Sequence, residues 1–386
     1  MTIVLTGGGS GGHITPVLAV AAELKRVKPE VKLIYIGQRG DSLGDIPAQD
    51  PHIDQAFTVR AGKFRRFHGE GLKQLLDLPT ILLNIRDVFF VVIGIFQSWR
   101  LMRRINPDVV FSRGGFVSVP VVVGAKLRSI PYITHDSDLT PSLANRIIAP
   151  WAKLHAVAFA KELYPYPADK TITTGIPLNK HFKPVTDELK KRYRSELDIP
   201  ANAKLVFVIG GGLGSQDVNS AVAEAVPHLL QDFQDLYVVH AAGRNNEVEL
   251  RSKYEGSIEP KDLKRLQVHD FIQDVYRYSG AADIIVSRAG ATNLAEFAMQ
   301  GKACIVIPSS FLAGGHQLKN AEYLEEQGAA IVLSLNDLIA DPNRLARQIS
   351  DLLHEPGKRK KLGIELAKLA QPNATQQLAQ LILEQA

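Results

Sequence analysis

Cysteine is almost missing from this chain: Cys304 is the single one among 386 residues. That excludes an intramolecular disulfide framework and a cysteine-only zinc site, and it points to a reducing compartment, the cytoplasm by default. A secretory leader is not expected either. Met1-Thr2-Ile3-Val4-Leu5-Thr6 runs straight into glycines, without the basic start and ~7–15-residue apolar stretch of a signal peptide. No heptad run, 20–50-residue repeat or low-complexity tract is present. Long apolar runs are lacking as well. The longest, Val88–Phe96, has nine residues where a membrane span needs about 20, and Asn84, Arg86 and Asp87 interrupt any extension upstream. Hydrophobic residues at 45% and charged residues at 22% lie far from the profile of disorder. A chain of this length exceeds what one core usually organises, so two domains are expected.

The net charge of +5 is unevenly placed. Residues 1–180 carry 22 Lys and Arg against 14 Asp and Glu, a net +8, whereas residues 181–386 carry 23 against 26. Nine cations fall between Arg60 and Arg104: Arg60, Lys63, Arg65, Arg66, Lys73, Arg86, Arg100, Arg103 and Arg104. They surround the Val88–Phe96 run. Two readings fit: a buried helix with a solvated cationic rim, or an apolar surface with basic flanks that sits on an anionic membrane. Nucleic acid is not expected as a partner, because no recognition fold or aromatic-basic interleaving accompanies the charge.

Short β-type runs alternate with helical patterns throughout, which predicts an α/β protein with parallel, doubly wound sheets. The strands read as Ile3–Leu5, Leu33–Ile36, Val109–Phe111, Tyr132–Thr134 and Ala156–Phe159, then Leu205–Ile209, Tyr237–Val239, Gln267–Val268, Ile284–Val286, Ile305–Ile307 and Ala330–Leu333. A strand running into glycines occurs at 3–12 and again at 205–214, so two Rossmann-like domains in tandem are expected. Tyr164-Pro165-Tyr166-Pro167 and Gly175-Ile176-Pro177 have the composition of an interdomain connection.

The first glycine loop, Thr6-Gly7-Gly8-Gly9-Ser10-Gly11-Gly12-His13, precedes a helix whose start is marked by Thr15 as N-cap and Pro16 at the first helical position. Glycines let the backbone approach a ligand, and a helix N-terminus favours negative charge, so the loop reads as a phosphate site. A tight turn with no ligand is the bland alternative. Gly7, Gly9 and Gly12 fit G-x-G-x-x-G, yet the acid that would bind an NAD ribose is missing, since the second strand ends Ile36-Gly37-Gln38-Arg39. Arg39 leaves NADP open. No Gly-Lys-Ser/Thr closes a Walker loop.

With Phe111-Ser112-Arg113-Gly114-Gly115-Phe116-Val117-Ser118-Val119-Pro120 and His135-Asp136-Ser137-Asp138, that loop resembles the N-terminal signatures of the MurG family, within family 28 of the glycosyltransferases. The second half continues the resemblance in family order: Gly210-Gly211-Gly212-Leu213-Gly214, Phe271-Ile272-Gln273-Asp274-Val275, Ser287 through Glu296, and His316-Gln317-Leu318-Lys319-Asn320-Ala321. It implies a GT-B fold, two tandem Rossmann-like domains with parallel sheets facing across a cleft. It implies an acceptor and membrane-facing domain over 1–174, a UDP-GlcNAc domain over 175–368, and a C-terminal helix over 369–386 that returns to the first domain, with Lys358–Glu384 reading as helical. The implied reaction is inverting transfer of GlcNAc from UDP-GlcNAc to the MurNAc C4 hydroxyl of lipid I, giving lipid II for the cell wall. The enzyme would act at the cytoplasmic face of the membrane, peripherally, with no cofactor and no metal.

Site residues follow from the same resemblance. Glu296 would accept hydrogen bonds from the ribose hydroxyls, its bland role being dipole compensation at a helix start. Ala291, Thr292 and Asn293 would offer backbone amides to the diphosphate, Gln317 would contact the GlcNAc hydroxyls, and the Ile272 backbone would read uracil. Ser10, Gly11 and Gly12 form the first phosphate loop, and Arg113, Gly114 and Gly115 the acceptor loop. His13 is the leading candidate for the base, since a neutral imidazole accepts a proton; positioning phosphates is its alternative role, and Asp136 is the rival base. Three positions depart from the family: Asp138 stands for the usual Asn, Asn179 for an arginine, and Gly212 for a frequent serine. Asp136-Ser137-Asp138 spells a D-x-D metal signature of another fold and is expected to line the acceptor side. A diacylglycerol-type lipid glycosyltransferase, a UDP-GlcNAc 2-epimerase and a non-catalytic nucleotide-sugar binder remain as alternatives.

Overall fold

The computed structural model describes residues 1–8, 11–41, 43–63, 77–309 and 315–386. The chain divides into two compact units: the first runs over Met1–Lys180 and takes in Gln371–Ala386, and the second is built from His181–Ser310 and Gln317–Ala370. Among the described residues the first unit holds seven strands: β1 (Thr2–Thr6), β2 (Lys32–Gln38), β3 (Gln55–Val59), β4 (Val109–Ser112), β5 (Tyr132–Asp136), β6 (Leu154–Val157) and β7 (Thr171–Thr173), in the order β3-β2-β1-β4-β5-β6-β7. The second holds β8 (Lys204–Ile209), β9 (Leu236–Ala241), β10 (Leu266–His269), β11 (Ile284–Ser287), β12 (Ala303–Val306) and β13 (Ile331–Val332), in the order β10-β9-β8-β11-β12-β13.

All strand pairs are parallel. Parallel strands need helical crossovers, which cover both faces and demand apolar side chains on each. Accordingly Ile3, Leu5 and Phe111 pack on one side of the first sheet and Val4, Ile34 and Val110 on the other. The second sheet divides likewise, with Val206 and Val208 on one side and Leu205 and Phe207 on the other. In each unit strand order reverses direction about one pair, β1/β4 and β8/β11, and ligands of open α/β sheets bind outside the carboxyl ends of the strands at such a switch point.

Four expectations are corrected. The first helix spans Gly11–Val27, not Thr15 onward, and Pro16 lies inside it. Lys358–Glu384 is two helices, Pro356–Ala367 and Ala374–Glu384, parted around Gln371-Pro372. The second of these buries Leu378, Ala379 and Ile382 against Val17, Val20, Ala21 and Leu24 of the first helix, which makes the C-terminus part of the first unit's core. The division also falls after Lys180 and not after residue 174. Gly175 accepts a bond from His135 Nε2 at 2.8 Å, and Leu178 exchanges two 3.0 Å bonds with Thr375 Oγ1, so this segment belongs to the first unit. Finally, Tyr164–Pro167 lies between β6 and β7 inside the first unit, not at a connection.

The Val88–Phe96 run belongs to one continuous helix, Leu78–Ile105, which is long and apolar enough to cross a membrane by length and composition. Its side chains are arranged inside out. Asp87, Gly94, Ser98 and Met102 form the buried side, against the Ser118–Lys126 helix and Arg60–Gly62. Asp87, which appeared to interrupt the run, is turned inward and pairs with Arg86 at 3.0 Å while accepting from the Lys63 amide at 3.1 Å. Leu78, Leu82, Ile85, Phe89, Val92 and Phe96 form an exposed stripe spaced alternately four and three residues apart, with Phe89 65% and Phe96 57% exposed. The buried-helix reading of this run is therefore overturned.

Candidate functional site

Three loops meet at the carboxyl end of the first sheet. Gly7 brings the β1 turn, the start of the first helix and the β4 loop together: a Cβ there would stand 3.0 Å from the His13 carbonyl oxygen and 3.1 Å from Arg113 Cβ. Gly114 and Gly115 have φ of +88° and +84°, and a Cβ on Gly115 would come 2.5 Å from the Gly8 oxygen. Only glycine takes that conformation and that approach without strain. Gly11 and Gly12 open the helix, so His13 lies in its first turn. Ser10 lies outside the described residues, as do Arg65, Arg66 and Lys73.

His13 Nδ1 is 3.3 Å from the Arg113 carbonyl oxygen. A carbonyl only accepts, so Nδ1 carries the proton and Nε2 the lone pair. Burial, followed by the Arg113 charge, lowers the imidazole pKa to about 4, and the ring is neutral at pH 7. Arg113 itself is 1% exposed, and among the described residues its Nε and Nη2 have no protein partner. Burial lowers its pKa to about 10, opposed by Asp138 and Asp136, so it remains a cation. Buried donors of this kind are costly unless something accepts from them.

Asp136 ends β5 and is 4% exposed. Its Oδ2 accepts from Tyr166 Oη at 2.7 Å and its Oδ1 from the Ser142 amide at 3.3 Å. Burial raises its pKa; the Tyr166 bond is the largest opposing influence. The Asp138 carbonyl accepts from Tyr164 Oη at 3.1 Å. Asn179 is exposed and falls among the last residues of the first unit, whereas the other expected donor residues belong to the second.

In the second unit the β8 loop turns at Gly211 and Gly214, with φ of +95° and +76°. Ser215 then caps the Gln216–Asp232 helix. A Cβ on Gly212 would lie 3.5 Å from the Phe271 ring, and Arg244 stands 5.0 Å over that ring. Ile272 is buried beside it in the core. After β11, Gly290 starts the Ala291–Gln300 helix without a side-chain cap. A helix cannot use its first amides, so those of Ala291, Thr292 and Asn293 are presented at its end. Glu296 lies in the second turn, 8% exposed, and burial raises its pKa to about 8. Gln317 Oε1 accepts from Arg288 Nε at 3.2 Å and from the Ser309 amide at 3.1 Å, which orients it beside the same switch point.

Tyr166, Phe271, Arg244 and Arg288 were not picked out from sequence. Tyr166 drew notice only for its flanking prolines, Phe271 and Arg288 stand inside motifs in which Ile272 and Glu296 took the attention, and Arg244 lies outside every motif read from the sequence.

Two Rossmann-order sheets, each carrying a glycine turn and a helix start at its switch point, define a protein of the GT-B fold. Family 28 glycosyltransferase N-terminal and C-terminal domains match residues 3–157 and 205–378, and the chain belongs to that family. UDP-N-acetylglucosamine–N-acetylmuramyl-(pentapeptide) pyrophosphoryl-undecaprenol N-acetylglucosamine transferase 3 of Bacillus thuringiensis (strain Al Hakam) is 35% identical over 361 residues, 91% of each chain. Among solved structures, Acinetobacter baumannii MurG superposes with a TM-score of 0.69 at 24% identity over 99% of both chains. A Neisseria meningitidis UDP-GlcNAc 2-epimerase bound to UDP-GlcNAc gives 0.67 at 14% identity over 100% of both. These two likenesses carry the fold and do not separate transfer from epimerisation.

Proposed function

We propose that this enzyme transfers GlcNAc from UDP-GlcNAc to the MurNAc C4 hydroxyl of lipid I, forming lipid II with inversion at the anomeric carbon. The observation that carries this reading is the buried Arg113 guanidinium, whose Nε and Nη2 have no protein partner among the described residues, beside a neutral His13. Together they suit an acceptor that brings a diphosphate and a hydroxyl to be deprotonated. The name of the Bacillus relative supports the identity of both substrates. In this reading Arg113 and the Gly11 and Gly12 amides hold the acceptor diphosphate, with Gly114 and Gly115 shaping the loop. His13 Nε2 takes the C4 proton as that oxygen bonds to the sugar C1, and the bond from C1 to the UDP oxygen breaks with its electron pair leaving on UDP. Asp136 is the second candidate base. Its burial-raised pKa favours it, because a base works best with a pKa near the working pH and that of His13 is about 4.

On the donor side Glu296 takes the ribose hydroxyls and the Ala291–Asn293 amides with the Gly212 loop take the diphosphate. Gln317 meets the sugar, and the Ile272 backbone meets uracil. Arg288, held beside Gln317, supplies the cation that Asn179 does not. Incubation with UDP-GlcNAc and a lipid-I analogue tests the proposal: UDP with a disaccharide supports it, and ManNAc would move the chain to the epimerases.

Glu296 gives donor binding a pH dependence. With a resting pKa of about 8 the carboxyl is mostly protonated at pH 7, whereas accepting two ribose hydroxyls requires the ionised form. Binding therefore releases a proton, and UDP-GlcNAc affinity rises about tenfold from pH 6 to 7 and about fivefold from pH 7 to 8, then levels. Calorimetric Kd values that stay flat from pH 6 to 9 would remove the ribose role; Glu296→Gln should itself be weak and flat.

The exposed stripe of Leu78–Ile105, with Arg100, Arg103 and Arg104 at its end, supports docking on an anionic membrane at the cytoplasmic face, where lipid I is held. Phe89→Ser with Phe96→Ser should weaken cosedimentation with anionic vesicles by about 10²-fold, since burying each ring is worth at least ~1.5 kcal/mol. Turnover of a water-soluble acceptor should be unaffected. Undiminished cosedimentation would remove the stripe from the interface.

A further inference from the structure

The Tyr164–Pro167 segment stands directly behind the acceptor-side loop. Tyr166 lies face to face with His155, centroids 4.1 Å apart and planes 11° apart, and His155 Nδ1 is 2.8 Å from Thr134 Oγ1. Thr134 and Asp136 are on β5 and His155 is on β6, so neighbouring strands fix both ends of the Tyr166 ring. The ring does not fill a closed core: a cavity of about 360 Å³, bordered by Arg146, His155, Tyr166 and Lys170, opens beside it. What the stack holds in place is the hydroxyl, 2.7 Å from Asp136 Oδ2. Two residues earlier, Tyr164 Oη donates to the Asp138 carbonyl at 3.1 Å and accepts from the Phe159 amide at 3.4 Å. Two tyrosines thus brace the two ends of Asp136-Ser137-Asp138.

We propose that Tyr166 is a positioning residue for the reaction: its hydroxyl, aimed by the His155 stack, fixes the orientation and ionised form of the Asp136 carboxylate, while Tyr164 braces the loop beyond it. The proposal rests on the reading that Asp136 takes part in transfer. Arg113 faces this carboxylate from the β4 loop, Asn145 from the helix after β5, and Tyr164 and Tyr166 from the segment before β7. Asp138, Arg146 and Lys170 add to the charged surroundings of the brace. A buried carboxylate needs donors to stay ionised. The Tyr166 hydroxyl bonds this carboxylate at 2.7 Å against 3.3 Å for the Ser142 amide, and it can be removed without disturbing the backbone.

Tyr166→Phe keeps the ring, the stack and the volume and deletes only the hydroxyl. The proposal expects the acid limb of the kcat/KM profile to move up by about one to two pH units, the size of one hydrogen bond to a charged group. KM for UDP-GlcNAc should stay unchanged, and the ¹³C-carboxyl titration of Asp136 in the resting protein should move in the same direction. A carboxyl titration that stays in place, or one that moves while the acid limb does not, overturns the positioning role. Asp136→Asn separates the proposal from its premise. Wild-type turnover in that variant removes Asp136 from the reaction and the proposal with it, whereas an inactive Asp136→Asn beside a Tyr166→Phe profile that has not moved overturns the positioning role alone.

Discussion

His13→Ala should lower kcat by ~10²–10⁴-fold, the usual worth of a positioned base, and leave the Kd for UDP-GlcNAc unchanged. Donor binding is spared because Glu296, Gln317, Ile272 and the Ala291–Asn293 amides belong to the other unit. The hydrogen bond from Nδ1 to the Arg113 carbonyl selects the tautomer with its lone pair on Nε2. The resting pKa of about 4 makes that lone pair available at pH 7 but weakly basic. The Arg113 charge is the second cause of that low value, so an acceptor diphosphate that neutralises Arg113 returns basicity to the imidazole when it is needed. The acid limb of kcat, which reports the bound complex, should accordingly lie above pH 4. Near-normal turnover in His13→Ala would hand the proton to Asp136.

Arg113→Met should separate stability from activity. A buried cation whose Nε and Nη2 lack protein partners among the described residues is costly in the resting protein. Replacing it by an apolar chain of similar length should stabilise the fold by ~1–3 kcal/mol, the cost of leaving such donors unpaired. Acceptor use should fall by roughly 10–100-fold for each lost bond to phosphate, at ~1.5–3 kcal/mol per charge-assisted bond. A higher Tm with a higher acceptor KM is the expected pair of results. A lower Tm with acceptor KM unchanged would make Arg113 a structural residue.

What the sequence made legible follows from where the physical signal is strong. Buried parallel strands are continuous apolar runs, so β1, β4, β8 and β11, which flank both switch points, stand out, and the glycine turns beside them are equally visible. The edge strands were missed for the opposite reason. Gln55–Val59 has only Val59 fully buried and Thr171–Thr173 only Thr171, so neither carries a hydrophobic pattern. The Leu78–Ile105 helix was cut short because Asp87 reads as a break in a list of residues. In three dimensions it faces inward and its apolar neighbours face out. Local signals also misplaced the first helix: Thr15-Pro16 is a good start by propensity, yet the helix begins at Gly11, and Gly7 packs against the His13 carbonyl in its first turn. Motifs located the glycine loops, Glu296 and Gln317, but Tyr166 reaches Asp136 across 30 residues, a pairing no spacing announces.

The most direct measurement is product analysis by NMR after incubation of the full chain with UDP-GlcNAc and a lipid-I analogue bearing a short prenyl chain. The account predicts one UDP released per disaccharide, with GlcNAc joined through a β linkage to the C4 oxygen of MurNAc. An α linkage, attachment at another hydroxyl, or ManNAc in place of a disaccharide would contradict it.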